Sequence, residues 1–217
     1  MVVADRQTAG RGRQGRVWQS PAGANLTLSI LLRPRMTPAA LPPIALACGL
    51  AVAEAAEAAG ARTAVKWPND VLALGPCAGA LRPARKLSGI LVESVTSSAG
   101  LAFAIVGVGL NVNQRELPAE LDGIATSLLL ETGHEHDRTD VLASVLGRLE
   151  QWIDRFLANG PAQVVAAVTP RLFGLGQEIR TAEGLHGRIA GLDRDGALRL
   201  DTEAGPRRLV AGEVILV

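Results

Sequence analysis

Gln7-Thr8-Ala9-Gly10-Arg11-Gly12-Arg13-Gln14-Gly15-Arg16-Val17-Trp18 places three arginines within six residues and spaces them with glycines at 10, 12 and 15. Glycine lets the backbone reach positive φ and lets a ligand approach the main chain closely. Arginine forks match phosphate and carboxylate oxygens in bidentate fashion. Together they describe an anion-binding loop that is poorly ordered until its charges find a partner. Taken alone, the loop reads equally as a flexible basic linker that grips nucleic acid without sequence preference.

Working outward, the scarcity of lysine separates these readings. The chain has twenty arginines and two lysines, and each lysine lies in a dense motif: Lys66-Trp67-Pro68-Asn69-Asp70 and Arg85-Lys86-Leu87-Ser88-Gly89-Ile90. A compact ammonium on a flexible stem is chemically unlike a planar guanidinium. Two further segments accompany these: Ser20-Pro21-Ala22-Gly23-Ala24-Asn25-Leu26 and Gly107-Val108-Gly109-Leu110-Asn111-Val112-Asn113.

Read jointly and in order, these segments resemble the biotin protein ligases, within the wider biotin/lipoate ligase superfamily. With a small β-rich tail, the resemblance covers nearly the whole chain. It implies an α+β fold: a mixed-sheet catalytic domain over residues 1–174, followed by a small SH3-like β-barrel over 175–217. It also implies synthesis of biotinyl-5′-AMP from biotin and ATP with Mg²⁺, then transfer of biotin to a lysine of a biotin carboxyl carrier domain. Two other readings are ligation of another acid, such as lipoate or octanoate, and a nonenzymatic module binding nucleic acid or protein.

Composition sets limits on these readings. At 217 residues the chain can hold one sizeable α/β domain and a small appendage. Hydrophobic residues make up 48% and aromatics only 3%, so Leu, Ile, Val and Ala must build the core. A net charge of +1 makes the basic loop a local feature. No apolar stretch reads as long and uninterrupted enough to cross a bilayer. Residues 1–5 are too short for a signal peptide. Cys48 and Cys77 lack metal-ligand spacing and are expected to be reduced, in keeping with a cytoplasmic protein without a membrane or DNA partner. A homodimer is left open.

Along the chain, residues 2–4 read as part of a buried strand and 25–33 as a half-buried one, with Leu26, Leu28, Ile30 and Leu32 on one face. Residues 37–59 read as a helix stopped by Gly60, with Glu54 and Glu57 toward solvent. Strands are expected at 63–67, 87–95 and 101–108; residues 71–74 lead into a loop at 75–85, and a further loop spans 115–123. Helical spacing over 140–157 gives a stripe of Val141, Leu142, Val145, Leu149, Trp152, Ile153 and Phe156, and a shorter helix spans 161–172. Beyond Gly176 short alternating runs at 178–181, 185–192, 197–201 and 207–217 describe the small barrel.

Activating a carboxylic acid with ATP brings two anions together, so fixed positive groups should dominate catalysis. Arg11, Arg13, Arg16, Lys66 and Lys86 are the available cations. The resemblance implies that Arg13 and its neighbours close over the acyl-adenylate and that Lys86 lies between the biotin carboxylate and the α-phosphate. By the same resemblance, Gln7 contacts biotin, and Arg11, Gly12 and Arg13 line its tail. Arg16, Trp18, Lys66, Asn69 and Asn111 face the nucleotide. Asp70 completes the catalytic set with Arg13 and Lys86, holding Mg²⁺ or orienting the incoming amine. Asn69 and Asp70 also suit an ordinary turn or helix cap, Trp18 a hydrophobic gap, and Asn111 a strand-end turn. Glu93 reads either as a solvent-facing strand residue or as a polar support. His134-Glu135-His136 lacks zinc-ligand spacing.

The family ordinarily carries a Ser-Thr-Asn segment and a helix before the strand leading into Gln7, and its hydroxyls help recognise the ureido ring. This chain starts within that strand. A start placed too far downstream, a truncated chain or altered biotin recognition would each account for that. The sequence as given leaves no room for an N-terminal helix-turn-helix, so no repressor activity is expected of it.

Overall fold

A computed structural model describes residues 1–75, 83–98 and 100–217 of the chain. The alternating apolar runs become six strands: β1, Val2–Ala4; β2, Leu26–Leu32; β3, Thr63–Lys66; β4, Asp70–Ala73; β5, Arg85–Ser97; and β6, Gly100–Leu110. They form one sheet in the order β1-β2-β6-β5-β4-β3. Every ladder in it is antiparallel, and parallel pairing enters only as single bridges from Val65 to Leu172 and from Lys86 to Ala125. The expected mixed sheet is therefore mixed only at those bridges. β1 is a strand, but an edge one: Val2 and Val3 are exposed rather than buried.

Helix α1, Ile44–Ala58, starts directly after Pro43, seven residues later than the expected start at 37, because Pro38–Ala40 forms a separate 3-10 turn. Its Ala- and Leu-rich surface is buried nearly all round, against β3, β4 and β5 on one side and against helices on the other. The 21-residue stretch Pro38–Ala58 is in fact long and apolar enough to cross a membrane, contrary to the sequence reading, but 72% of its apolar window is buried inside the fold. Interior burial accounts for that hydropathy. Glu54 and Glu57 do not face solvent either. Glu54 accepts from Trp152 Nε1 at 3.0 Å and pairs with Arg148, and Glu57 accepts from Thr63 at 2.8 Å and pairs with Arg171.

Three more helices follow: α2, Leu128–Thr132; α3, Arg138–Asn159; and α4, Ala162–Val168. Asp137 caps α3 by accepting from the Thr139 and Asp140 amides, which holds its carboxyl below the usual range. Six residues of the expected α3 stripe are buried, with Leu142 partly so. The short α2, capped by Ser127, was not anticipated. The loop expected at 75–85, with Cys77, falls largely outside the described residues, as does Ala99 in the β5–β6 turn.

The tail forms β7, Glu178–Thr181; β8, His186–Leu192; β9, Leu198–Thr202; β10, Gly205–Leu209; and β11, Val214–Leu216, in the antiparallel order β10-β9-β8-β7-β11. The final run at 207–217 is thus two strands, on opposite edges. Ile179, Ile189, Leu198, Leu200 and Val214 are buried and give the sheet its interior. It meets the larger sheet just beyond β3, where the buried Trp67 indole donates to Gly196 O at 3.1 Å; the chain leading into the tail is tied to β3 itself by Phe173 N donating to Val65 O at 2.9 Å.

Candidate active site

β4 and β5 pair with a slip of one residue between Val71 and Leu72, so that Asp70 lies opposite Gly89 while Leu72 lies opposite Lys86. Residues 86 and 89 would ordinarily point to opposite faces of a strand. The bulge takes up one residue, and Leu87 and Ser88 are both buried in consequence. Lys86 and Gly89 therefore share the cavity face: a Cβ on Gly89 would lie 3.2 Å from Lys86 Nζ. Lys86 Nζ sits 2.7 Å from Asp70 Oδ1.

Gly89 also pairs with Gly109 on β6, and these two glycines form a floor without side chains. The indole of Trp18 lies on it. A Cβ at Gly109 would come within 2.4 Å of Trp18 Cε2, and the Lys86 ammonium is 5.9 Å from the ring centroid. Trp18 thus fills the space above this floor, with its Nε1 buried.

The glycine and arginine loop folds back on itself instead of trailing into solvent. Arg11 bridges Val17, Gly12 N donates to Arg16 O at 2.7 Å, and Gln14 adopts φ 56° at the turn. Each of its arginines is engaged. Arg11 pairs with Glu93 at 3.2 Å, Arg13 donates to Asn69 Oδ1 at 2.9 Å, and Arg16 donates to Glu213 Oε1 at 3.0 Å with a second contact to Oε2. Glu93 is therefore an exposed strand residue that supports the loop. Asn69 divides its amide: Oδ1 receives Arg13, and Nδ2 donates to Ile90 O at 2.8 Å, tying the β3–β4 turn to β5.

Gln7, Arg11, Gly12, Arg13, Arg16, Trp18, Lys66, Asn69, Asp70, Lys86 and Asn111, the whole set singled out in the sequence, line one cavity of about 440 Å³. Asn111 is nearly buried, and its Nδ2 donates to Thr126 O at 2.9 Å, so it also braces the neighbouring loop. Trp18 Nε1 and Asp70 Oδ1 are buried without a hydrogen-bond partner; the short Asp70–Lys86 contact is an ion pair outside hydrogen-bonding angles. Arg171 Nε, outside the cavity, is the third such atom among the described residues, so two of the three lie in the cavity. Among the described residues no group of three His, Cys, Asp or Glu assembles a metal site, and His134 and His136 pack on each other with His136 Nε2 2.8 Å from Thr132 Oγ1.

Two contributors were not foreseen. The segment with Leu117, Leu121 and Ile124 closes one side of the cavity, stitched to β5 by Lys86 N to Ile124 O and Thr126 N to Lys86 O. Its apolar residues are short and irregularly spaced, so periodicity gives no sign of it. Glu213 is the residue just before β11 of the C-terminal sheet, far along the chain from the other motifs. Its hydrogen bond with Arg16, reinforced by the fields of Arg16, Lys66 and Arg13, holds its carboxyl below the ordinary glutamate range.

Comparison with known proteins agrees with this architecture. The model of the biotin/lipoate A/B protein ligase family matches residues 1–111, and that of the biotin protein ligase C terminal domain matches 174–217. The bifunctional ligase/repressor BirA of Bacillus spizizenii is 35% identical over 100% of this chain and 66% of its own length. The biotin–[acetyl-CoA-carboxylase] ligase of Paracoccus denitrificans is 35% identical over 98% of this chain and 88% of its own. A structure of biotin protein ligase from Aquifex aeolicus in complex with biotin and ATP has a TM-score of 0.83 and 36% identity, covering 99% of this chain and 87% of that one. The chain thus spans just under two thirds of the BirA relative, at 66%. On these matches the chain belongs to the biotin/lipoate A/B protein ligase family and carries the C-terminal domain of its biotin protein ligases.

Proposed function

We propose that this chain is an ATP-dependent ligase that forms biotinyl-5′-AMP and passes biotin to a lysine of a biotin carboxyl carrier domain. The observation that carries the reading is the convergence of Arg13, Arg16, Lys66 and Lys86 on one cavity whose Asp70 Oδ1 and Trp18 Nε1 still lack hydrogen bonds. The relative from Aquifex, solved with biotin and ATP, supports the choice of substrates.

In the first step a biotin carboxylate oxygen attacks the α-phosphorus, the bond from that phosphorus to the bridging oxygen breaks, and pyrophosphate leaves. Lys86, freed from Asp70, lies between the two anions and offsets their repulsion. Arg13 and Arg16 hold the phosphate oxygens, with Lys66 beside them, while Gln7, Arg11 and Gly12 border the biotin tail. Trp18 and Asn111 flank the nucleotide. In the second step the carrier lysine's neutral amine attacks the acyl carbon and AMP departs, with Asp70 placed to orient that amine. Mg²⁺ would neutralise phosphate charge; Asp70 fits such a role, since Mg²⁺ is commonly held by one or two carboxylates together with substrate phosphates. No DNA or membrane partner is assigned, the setting is the cytoplasm, the domain boundary lies at 174/175, and a homodimer is compatible with the exposed edge of β1.

Calorimetric titration with biotin and then with ATP, followed by intact-mass analysis of a carrier domain, tests the proposal. Binding of both substrates and one biotinyl addition on the carrier are expected. A protein that ignores biotin but loads lipoate or octanoate would move the assignment to that acid.

A further inference from the structure

Among the cavity-lining residues, Glu213 is the one that comes from beyond residue 174. It lies immediately before β11, which pairs with β7 in the C-terminal sheet. Both of its carboxylate oxygens contact Arg16, an arginine of the anion-binding loop. Lys66 and Arg13 are close enough that their fields also stabilise the Glu213 anion. A single carboxylate of the tail thus occupies the group of cations that a nucleotide's phosphates require.

We propose that Glu213 is an internal competitor for those phosphates: it holds Arg16 while the nucleotide is absent and is displaced when a triphosphate binds. The inference rests on the reading that ATP binds this cavity. Arg16 and Glu213 keep 61% and 31% of their side-chain surface exposed, so the pair is screened and inexpensive to open. A triphosphate presents several anionic oxygens to the same guanidinium fork and to Lys66 and Arg13 at once, and bidentate phosphate contacts favour Arg. Exchange of one partner for the other frees the chain before β11 from the loop. Nucleotide binding and the tail's contact with the loop are thereby coupled in opposite directions.

Calorimetric titration of Glu213→Gln and of the parent with ATP and Mg²⁺ in the absence of biotin tests this directly. Glutamine keeps the size of the side chain and removes its charge at a half-buried position. The variant should bind ATP about threefold to fivefold more tightly, the range that an exposed ion pair can supply. Adenosine, which carries no phosphate, should bind parent and variant equally. In an Arg16→Gln background the Glu213→Gln change should leave the Kd for ATP unmoved, because the contact under test is already gone. Equal or weaker ATP binding by Glu213→Gln, or an equal gain for adenosine, would overturn the competition. A parent protein that binds no ATP would instead remove the adenylation reading, and this inference with it.

Discussion

Lys86 gains its place through the pairing slip between β4 and β5, which turns it to the same face as Gly89, and through its 2.7 Å contact with Asp70. Its proposed task is that of a small point charge between two reacting anions. Lys86→Ala should therefore reduce adenylate formation by at least about a hundredfold while leaving the melting temperature near that of the parent; removing one preorganised donor commonly costs 10² or more. Lys86→Arg should also be poor, since a planar fork does not fit the space of an ammonium. Single-turnover adenylation with thermal unfolding measured on the same samples checks both. The lysine itself was legible as one of two in an arginine-rich chain, but the bulge was not, because Leu87-Ser88-Gly89 carries no pattern that marks a slip. Glu213 supplies a second residue-scale prediction. Its folded pKa is depressed, so the stabilisation it gives is present above its ordinary value of 4.5 and is lost as pH falls through the lower folded value. The loop-to-tail contact should thus be unchanged from neutral pH to about 5 and weaken only below the ordinary carboxylate range. Hydrogen exchange near Arg16 as a function of pH, with Glu213→Gln as the reference, reads this out.

At the scale of elements, the loop of residues 9–18 is a folded hairpin whose outer pins are weak, with Arg11 72% and Arg16 61% exposed in their ion pairs. Exposed pairs contribute about 0–1 kcal/mol each. The loop should accordingly exchange its amides readily without ligand and become protected when biotinyl-AMP is bound. Arg13→Gly removes the tie to Asn69 and should let the intermediate escape and acylate bystander amines, which mass spectrometry would map. Equal protection with and without the adenylate would refute a closing loop. Glycine spacing conveyed that the segment turns and binds anions, but not which partners its arginines take, since Asn69, Glu93 and Glu213 lie 56, 82 and 197 residues away. β2 and the stripe of α3 were legible because each repeats its apolar positions at a regular period, and β5 and β6 because they are two apolar runs joined by the turn residues 97–100. α2 spans five residues, too short to show a period, and the break between β10 and β11 is hidden in one continuous run. Glu54 and Glu57 looked solvent-facing because their arginine and tryptophan partners come from distant helices.

For the molecule as a whole, the two sheets meet at the motif that also supplies Lys66, Asn69 and Asp70. Trp67, 4% exposed, sends its indole N–H to Gly196 O between β8 and β9, so the turn that positions the site is braced by the tail. Trp67→Phe leaves that buried carbonyl without its donor and opens some space beside it. It should destabilise the fold by about 1–3 kcal/mol. Urea unfolding checks the magnitude, and the accompanying fall in carrier modification should exceed any change in biotin affinity. The tail's β-rich texture was evident from its turn dipeptides, whereas its contribution to the cavity was not, because nothing local to Glu213 distinguishes it from a surface glutamate.

The central claim is that this cavity joins a biotin carboxylate to the α-phosphorus of ATP, and the reverse of that step leaves a direct trace. Labelled pyrophosphate should pass into ATP when the protein is given biotin, ATP and Mg²⁺; without biotin, or with Lys86→Ala, exchange should fall to background. No biotin-dependent exchange by the parent, or undiminished exchange by Lys86→Ala, would contradict the account.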